Sequence, residues 1–339
     1  MYRLPKTSMN DFFAAIAKTA RLYLPTDKDG QAYYTEWENG VQLSNKLNTT
    51  RSAKDFFFPQ TQDLMEFRVN GKNIEVIDNR SESEDFVLFG VRACDAVSFD
   101  ILDRVFLAEP IDTYYKTRRE HGVVMTLACN KPEETCFCGA FGIDPAAPGG
   151  DIACFMNDDC LYLAPKSEKG TTLVSKLGDV ISECDAVEVE AITDSINNIM
   201  KALPLADLKP ADFTDKQLKT FRSEEWERLS KSCLGCGSCT FACPTCQCYD
   251  IKDFDTGSGI IRMRTWDSCM FSDFTKMAHG NPRVSQLERF RQRFMHKLVY
   301  FPQNNDGVYG CVGCGRCLRQ CPISMNIVKV MKALGGDVK

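Results

Sequence analysis

Cys233, Cys236 and Cys239 are each separated by two residues, Cys243 follows after three more, and Pro244 closes the run; the same spacing returns at Cys311, Cys314, Cys317, Cys321 and Pro322. Few patterns constrain a chain more. Three thiolates so spaced wrap one face of a cubane, while the fourth, turned away by the proline, reaches the neighbouring centre in two-cluster ferredoxins. The expected pairing is Cys233, Cys236, Cys239 and Cys321 around one 4Fe-4S cluster, and Cys311, Cys314, Cys317 and Cys243 around the other. This interleaving makes the two runs one folding unit. Gly235, Gly237, Gly313 and Gly315 fit the same reading, because without a Cβ the backbone can bring N–H groups close to inorganic sulfide. Two zinc sites of four thiolates each are the alternative. Zinc sites usually set pairs of Cys-x-x-Cys far apart, so a triple run ending in Cys-Pro, and occurring twice, favours iron.

A chain of 339 residues is long enough for two domains. Its 18 cysteines would suggest disulfides in a short secreted protein. Here Tyr2 to Asn10 is polar and no signal peptide is recognisable, so a reducing cytoplasm is the expected location. A net charge of -5 gives no basic surplus for nucleic acid. No apolar run approaches the ~18 residues of a membrane span, which excludes direct membrane insertion by a helix but not a membrane-bound partner.

Ser8 is placed to cap a helix bearing Phe12, Phe13, Ile16, Ala17 and Ala20. Tyr33 to Trp37 and Val41 to Leu43 read as short strands, and Met65 to Val69, Asn70-Gly71 and Asn73 to Ile77 read as a hairpin. Asp85 to Arg92 reads as a buried strand leading into a helix from Ala96 to Leu107, with a second buried strand from Gly122 to Ala128. Strand, helix, strand implies a parallel pair. Beyond the loop Gly142 to Gly150, strands are expected at Ile152 to Phe155, Leu161 to Leu163 and Ala186 to Glu190, with helices at Leu173 to Leu177 and Thr193 to Leu203. Pro204 to Pro210 interrupts the pattern, and an amphipathic helix from Thr214 follows, carrying Leu218, Phe221, Trp226 and Leu229. The expected division is a mixed α/β domain over 1–210 and an α-helical dicluster ferredoxin domain over 211–339. The helical character of the second rests on the long insertion from Pro244 to Gly310 and its helical stretch Val284 to Tyr300.

The first domain has thiols of its own. Cys94 follows one buried strand, Cys129 follows the other, and Cys136-Phe137-Cys138 comes shortly after. The carboxyl ends of parallel strands share one sheet edge, where ligand sites concentrate. Four thiols converging there, with a chelating Cys-x-Cys, form a candidate third iron-sulfur cluster; a redox dithiol, a zinc site or plain burial are the alternatives. Cys246, Cys248 and Cys269 either complete a further cluster with Asp267 or Asp273, or pack around the second cluster. Cys154, Cys160 and Cys184 lack chelating spacing and read as structural.

Arg283, Arg289, Arg291, Arg293, His296 and Lys297 cluster on or beside the helix between the runs. They form either a solvated face or a set of cations that tunes anionic clusters and guides an acidic partner. Other motifs are missing. Asp255-Thr-Gly257-Ser-Gly259 reads as a turn rather than a dinucleotide fingerprint, and there is no Walker run, nucleophile elbow or His-Glu-x-x-His. A chain with ligands for electron carriers, and no recognisable flavin or nicotinamide fold, is expected to pass electrons between other proteins.

Two blocks carry a family resemblance. One comprises Arg92-Ala-Cys-Asp95, Leu102-Asp103, Tyr114-Tyr115 to Arg118-Arg119-Glu120, Cys129 and Cys136-Phe-Cys138. The other runs from Cys233 through Cys243-Pro-Thr-Cys-Gln-Cys-Tyr249, Trp266-Asp-Ser-Cys269, Glu288-Arg289 and His296-Lys297 to Cys321-Pro322. In these blocks the chain resembles the dicluster 4Fe-4S electron-transfer components of anaerobic sulfite reductase and the beta subunits of the cytoplasmic sulfhydrogenases. Tyr2 to Leu4 and Phe56 to Pro59 are nearer the hydrogenase-like branch. The resemblance implies electron relay from or to an NAD(P)H-linked flavoprotein, with a catalytic redox subunit at the other end: a hydrogenase, a sulfite reductase or an electron-bifurcating transhydrogenase complex. It also implies a role for Cys94, Cys129, Cys136 and Cys138. The alternatives are a reductase with a catalytic iron-sulfur or thiol site in the first domain, and a zinc-stabilised scaffold.

Overall fold

The computed structural model describes residues 1–46, 48–78, 80, 84–210 and 216–335. Strands β1 (Tyr2–Pro5), β2 (Arg21–Lys28), β3 (Gln31–Glu36), β4 (Thr61–Asn70), β5 (Asn73–Asp78), β6 (Phe86–Val91), β7 (Gly122–Leu127), β8 (Ile152–Met156), β9 (Cys160–Pro165), β10 (Ser182–Glu183), β11 (Tyr249–Asp255) and β12 (Gly259–Trp266) form two sheets. The larger has the order β10-β1-β9-β8-β7-β6-β2-β3. Its centre, β2, β6, β7 and β8, is parallel, and its flanks are antiparallel. Every residue of β6 is buried, as an apolar run covered on both faces requires. Val87 and Phe89 point into a core with Phe12, Phe13 and Ile16. Phe86 and Leu88 point the other way, onto Phe57, Phe99 and Leu102. This period-two division makes β6 the spine of the first half of the chain.

The helices are α1 (Met9–Ala17), α2 (Ala93–Phe106), α3 (Thr113–His121), α4 (Glu168–Ser175), α5 (Glu190–Lys201), α6 (Gln217–Phe221), α7 (Glu225–Ser230), α8 (Ser238–Phe241), α9 (Gln286–Met295), α10 (Phe301–Asn304), α11 (Arg316–Arg319) and α12 (Ile327–Leu334). Trp226 of α7, Phe290 and Phe294 of α9 and Val330 of α12 share one buried cluster, the core of the cysteine-rich half. A capping box between Ser285 and Glu288 starts α9, and a π-turn over His296–Tyr300 ends it. No helix among the described residues is long and apolar enough to cross a membrane.

Several expectations need amending. Val41 to Leu43 is irregular, although Val41 and Leu43 still pack on the first core. Ala186–Val189 is a 3-10 turn leading into α5, because Val189, Ile192 and Ile196 are buried at helical rather than alternating spacing. The helix start expected at Thr214 lies outside the described residues. The largest correction concerns the second half, which is not all helical: β11 and β12 form a hairpin around the turn at Thr256 to Ser258, where the Thr256 N–H donates to the Gly259 carbonyl at 2.9 Å. β12 then pairs with β4, from Gly259 opposite Arg68 to Thr265 opposite Thr61. The order β11-β12-β4-β5 therefore draws strands from both sides of residue 210 into one sheet.

Candidate iron-sulfur site

The two cysteine runs have the same backbone. Gly235 and Gly237 have φ of +67° and +75°, and Gly313 and Gly315 have +59° and +74°, after which α8 and α11 begin. Left-handed φ at these positions accounts for glycine in both runs. A second cause is close packing. A Cβ on Gly313 would lie 2.4 Å from the Phe137 carbonyl oxygen, and one on Gly315 would lie 2.4 Å from that of Thr135. The glycines of the second run thus admit the segment carrying Cys136 and Cys138, whose Phe137 N–H donates to the Gly313 carbonyl at 2.8 Å.

Cys243, the last thiol of the first run, lies among the thiols of the second. Burial pushes Cys311 up to about 12 and raises Cys314 and Cys317, and the charge of nearby Cys243 adds to all three. Cys239 is raised by burial and by Cys269, Cys233 and Cys243, against the opposing charge of Arg293. Cys321 Sγ lies 3.4 Å from the Met325 carbonyl oxygen, and Met325 packs on the same cluster as Cys233 and Cys239.

Three buried cations stand at these thiols. Lys297 Nζ donates to Cys243 Sγ at 3.3 Å, Thr245 Oγ1 at 2.8 Å and the Gly310 carbonyl at 2.9 Å. Arg293, one turn earlier, is 4% exposed, and its Nε has no hydrogen-bond partner among the described residues. Burial alone would lower both pKa values, yet both are raised: that of Lys297 chiefly by Cys243 and Cys246, that of Arg293 chiefly by Cys239 and Cys317. Lys54 reaches in from the first half, donating to the Cys246 carbonyl at 2.8 Å and lying 3.8 Å from the centre of the Trp266 ring. The basic helix is therefore more than a solvated face. Arg289 and Arg291 hold loop carbonyls of Met270, Val284 and Phe221. His296 is held neutral, its pKa lowered to about 4 by burial and by the charges of Lys297 and Arg283.

Cys246, Cys248 and Cys269 lie beside Cys243 as two hydrogen-bonded thiol pairs. Cys246 bonds to Cys243, holding Cys243 well below the usual thiol range with help from Lys297, and Cys269 likewise lowers Cys248. Neither expected carboxylate is committed to the thiols. Asp267 accepts from the Ser268 N–H at 2.6 Å, and the exposed Asp273 accepts from Ser272 at 3.4 Å.

Cys94, Cys129, Cys136 and Cys138 line one small cavity of about 20 Å³ at the carboxyl ends of β6 and β7, and Cys314 forms part of its wall. Burial raises Cys136 to about 11 and Cys138 to about 12, and lifts Cys94 well above its usual range. Asn48, which no sequence signal singles out, bridges the two regions: its Nδ2 lies 3.8 Å from Cys136 Sγ and 3.1 Å from the Cys314 carbonyl oxygen.

Arg92, Cys94 and Asp95 each have a distinct role at this cavity. Arg92 donates to the Leu127 and Ala128 carbonyls at 3.2 and 3.3 Å, fixing the end of β7 just before Cys129. Cys94 faces the cavity. Asp95, 1% exposed, takes two bonds from the fully buried Arg316 at 2.6 and 2.7 Å, and Arg316 also donates to the Thr49 carbonyl at 2.8 Å. The Asp103, Tyr115 and Arg119 positions make a separate clamp between α2 and α3, with Asp103 accepting from Tyr115 at 2.7 Å and from Arg119 at 2.8 and 2.9 Å. Cys154 sits in the core of β8, while the partly buried Cys160 and Cys184 pack on the apolar cluster around α5.

A 4Fe-4S dicluster domain matches residues 232–325. The Sulfhydrogenase 2 subunit beta of Pyrococcus furiosus is 32% identical over 323 residues, which is 95% of this chain and 94% of that one. No solved structure matches. With the cysteine runs, their buried cations and a relative aligned across both halves, the protein belongs to the sulfhydrogenase beta-subunit family and is an iron-sulfur electron-transfer subunit.

Proposed function

We propose that the chain is a three-centre relay inside an oxidoreductase complex, passing electrons between an NAD(P)H-linked flavoprotein subunit and a terminal redox subunit, with a hydrogenase favoured by the name of its relative. The ligand sets are Cys94, Cys129, Cys136 and Cys138; then Cys311, Cys314, Cys317 and Cys243; then Cys233, Cys236, Cys239 and Cys321. A 4Fe-4S cluster bound at such a set supplies one-electron uptake and release. The observation that carries the order is the shared wall: Cys314 of the second run also lines the cavity of the four first-half thiols.

The donor chemistry fits clusters better than single ions. Tetrahedral zinc draws four sulfurs to within ~2.3 Å of one point. A triple run ending in Cys-Pro, present twice, instead spaces its thiols to wrap the face of a cubane. The chain's own contribution is to exclude water, to hold the thiols in place through Asp95–Arg316 and Asn48, and to offset thiolate charge with Lys297 and Arg293. Cys246, Cys248 and Cys269, paired with one another and with Cys243, are assigned to packing around the middle centre.

Iron analysis of the anaerobically purified chain tests this. About twelve irons per chain are expected, falling to about eight in Cys94→Ala. Eight in both would reject the third centre, and a colourless zinc protein would reject the relay. Turnover of a substrate by the isolated chain would favour a catalytic first-half site instead.

A further inference from the structure

We propose that the surface around Cys236 is the docking face for one redox partner, a protein that presents its own cofactor within an acidic rim; the proposal rests on the relay reading. Among the described residues Cys236 is the one exposed cysteine. Its neighbour in the run, Leu234, is 63% exposed, and the loop that packs on the run through Phe271, itself 37% exposed, carries Met277 at 62% and ends on Val284 at 75%. Single exposed apolar residues are ordinary, but four of them on a cluster run with an exposed thiol and on the loop packed against it, here called the collar, are a contact surface.

The collar is built rather than frayed. The Phe271 ring closes on Gly237, where a Cβ would lie 2.8 Å away. Gln286 donates to the Cys233 carbonyl. Arg289 joins the two ends of the intervening loop by donating to the Met270 carbonyl at 3.1 Å and the Val284 carbonyl at 2.8 Å. Within the loop, Asn281 donates to the Ser272 carbonyl at 2.8 Å and accepts from Thr275 at 2.7 Å.

Charge selects the occupant. The segment from Phe271 to Val284 carries Lys276 and Arg283 against the single acid Asp273, in a chain whose net charge is -5. A basic rim on an acidic molecule favours an acidic partner and steers its approach. A second copy of this chain would bring the same basic rim to itself. An exposed thiol beside a loop that carries both uncovered apolar side chains and a surplus of cations suits a small electron-transfer contact.

The test uses the complex purified with its own subunits through a tag on this chain, and the variant Met277→Glu/Val284→Glu, whose exposed sites leave folding intact. Hydrogen exchange is compared between the isolated chain and the complex. Peptides spanning 231–238 and 271–286 are expected to be protected on assembly by a subunit that carries a flavin or cluster. In the variant, iron content, the EPR spectrum and reduction by methyl viologen stay as in the wild type. NAD(P)H-driven turnover of the variant complex falls at least tenfold, and wild-type turnover reconstituted from separated subunits falls with added salt. Unchanged exchange, unchanged variant turnover, or protection by a subunit without a redox centre overturns the proposal. An iron-free chain would overturn the relay reading itself, whereas intact clusters with an unprotected collar overturn this inference alone.

Discussion

Replacing Asp95 by Ala leaves the Arg316 guanidinium buried without its carboxylate. The pair has 1% and 0% side-chain exposure, two bonds of 2.6 and 2.7 Å, and a sequence separation of 221 residues. Burial keeps solvent from replacing the lost partner, and the Thr49 carbonyl and hydroxyl already accept from Arg316. Removing one member of such a pair costs about 3–5 kcal/mol, most of it the uncompensated charge. At ~2–4 °C per kcal/mol for a large domain, the unfolding temperature falls by roughly 10 °C. Replacing both members with apolar groups of similar size, Asp95→Leu with Arg316→Met, leaves no charge to strand, so the double variant recovers to within about 1–2 kcal/mol of wild type. Urea denaturation of the wild type, Asp95→Ala, Asp95→Leu, Arg316→Met and the double variant, followed by circular dichroism under anaerobic conditions, reads both quantities. A cost below about 1 kcal/mol for Asp95→Ala, or a double variant as damaged as the sum of its parts, refutes the reasoning. Because the pair also seats the helix bearing Cys94 on the second run, iron content in Asp95→Ala is expected to fall before the fold is lost.

Further outcomes follow from other contacts. Lys297 Nζ lies 3.3 Å from Cys243 Sγ. A unit charge at that distance is worth ~5 kcal/mol at an effective dielectric of 20, and an electron spread over a cluster senses about a quarter to a third of it. Lys297→Met should therefore lower one midpoint potential by roughly 50–70 mV in an EPR-monitored titration, with ~59 mV for each 1.4 kcal/mol; an unmoved potential would place the middle centre elsewhere. Gly313→Ala and Gly178→Ala both put a side chain at positive φ, but only the first meets backbone, at 2.4 Å, while nothing lies within 4 Å of the second. Gly178→Ala should cost about 1 kcal/mol and Gly313→Ala at least about twice that; equal costs in urea would dismiss the close approach. His296 is lowered from 6.5 to about 4. The unfolded chain binds this proton first, so stability present above pH 6.5 is lost as the pH falls toward 4, by roughly 2–3 kcal/mol. His296→Phe should flatten that part of the pH profile, and an unchanged slope would assign it to other groups.

Much of the site is legible in the sequence because thiol chemistry is local. The spacing within Cys233 to Cys243 announces a cluster without knowledge of the fold, and the position of Cys94 and Cys129 after apolar runs announces a sheet edge. What stays hidden is long-range. Nothing near Lys54 or Asn48 marks them as neighbours of Cys246 or Cys136, since those contacts span 192 and 88 residues. Arg293 and Lys297 are visible as charges but not as buried ones, because helical spacing does not say which face meets thiols. The hairpin of β11 and β12 escapes a reading of the sequence for a related reason. Its turn is recognisable, but charged residues such as Lys252, Asp253 and Arg262 dilute the alternation, and the pairing that stabilises it comes from β4.

That pairing governs how the chain comes off the ribosome. β4 emerges early with one edge open, and β12, which closes it, follows about 190 residues later, a wait of ~10–40 s at ordinary synthesis rates. An open edge is an invitation to wrong partners, and Asp63, Glu66 and Arg68 place charges along this one. The cysteine-rich half therefore cannot be cut out at residue 210 and studied as a small ferredoxin without stranding β12, and truncation at that point is expected to yield aggregate where the full chain yields a soluble product.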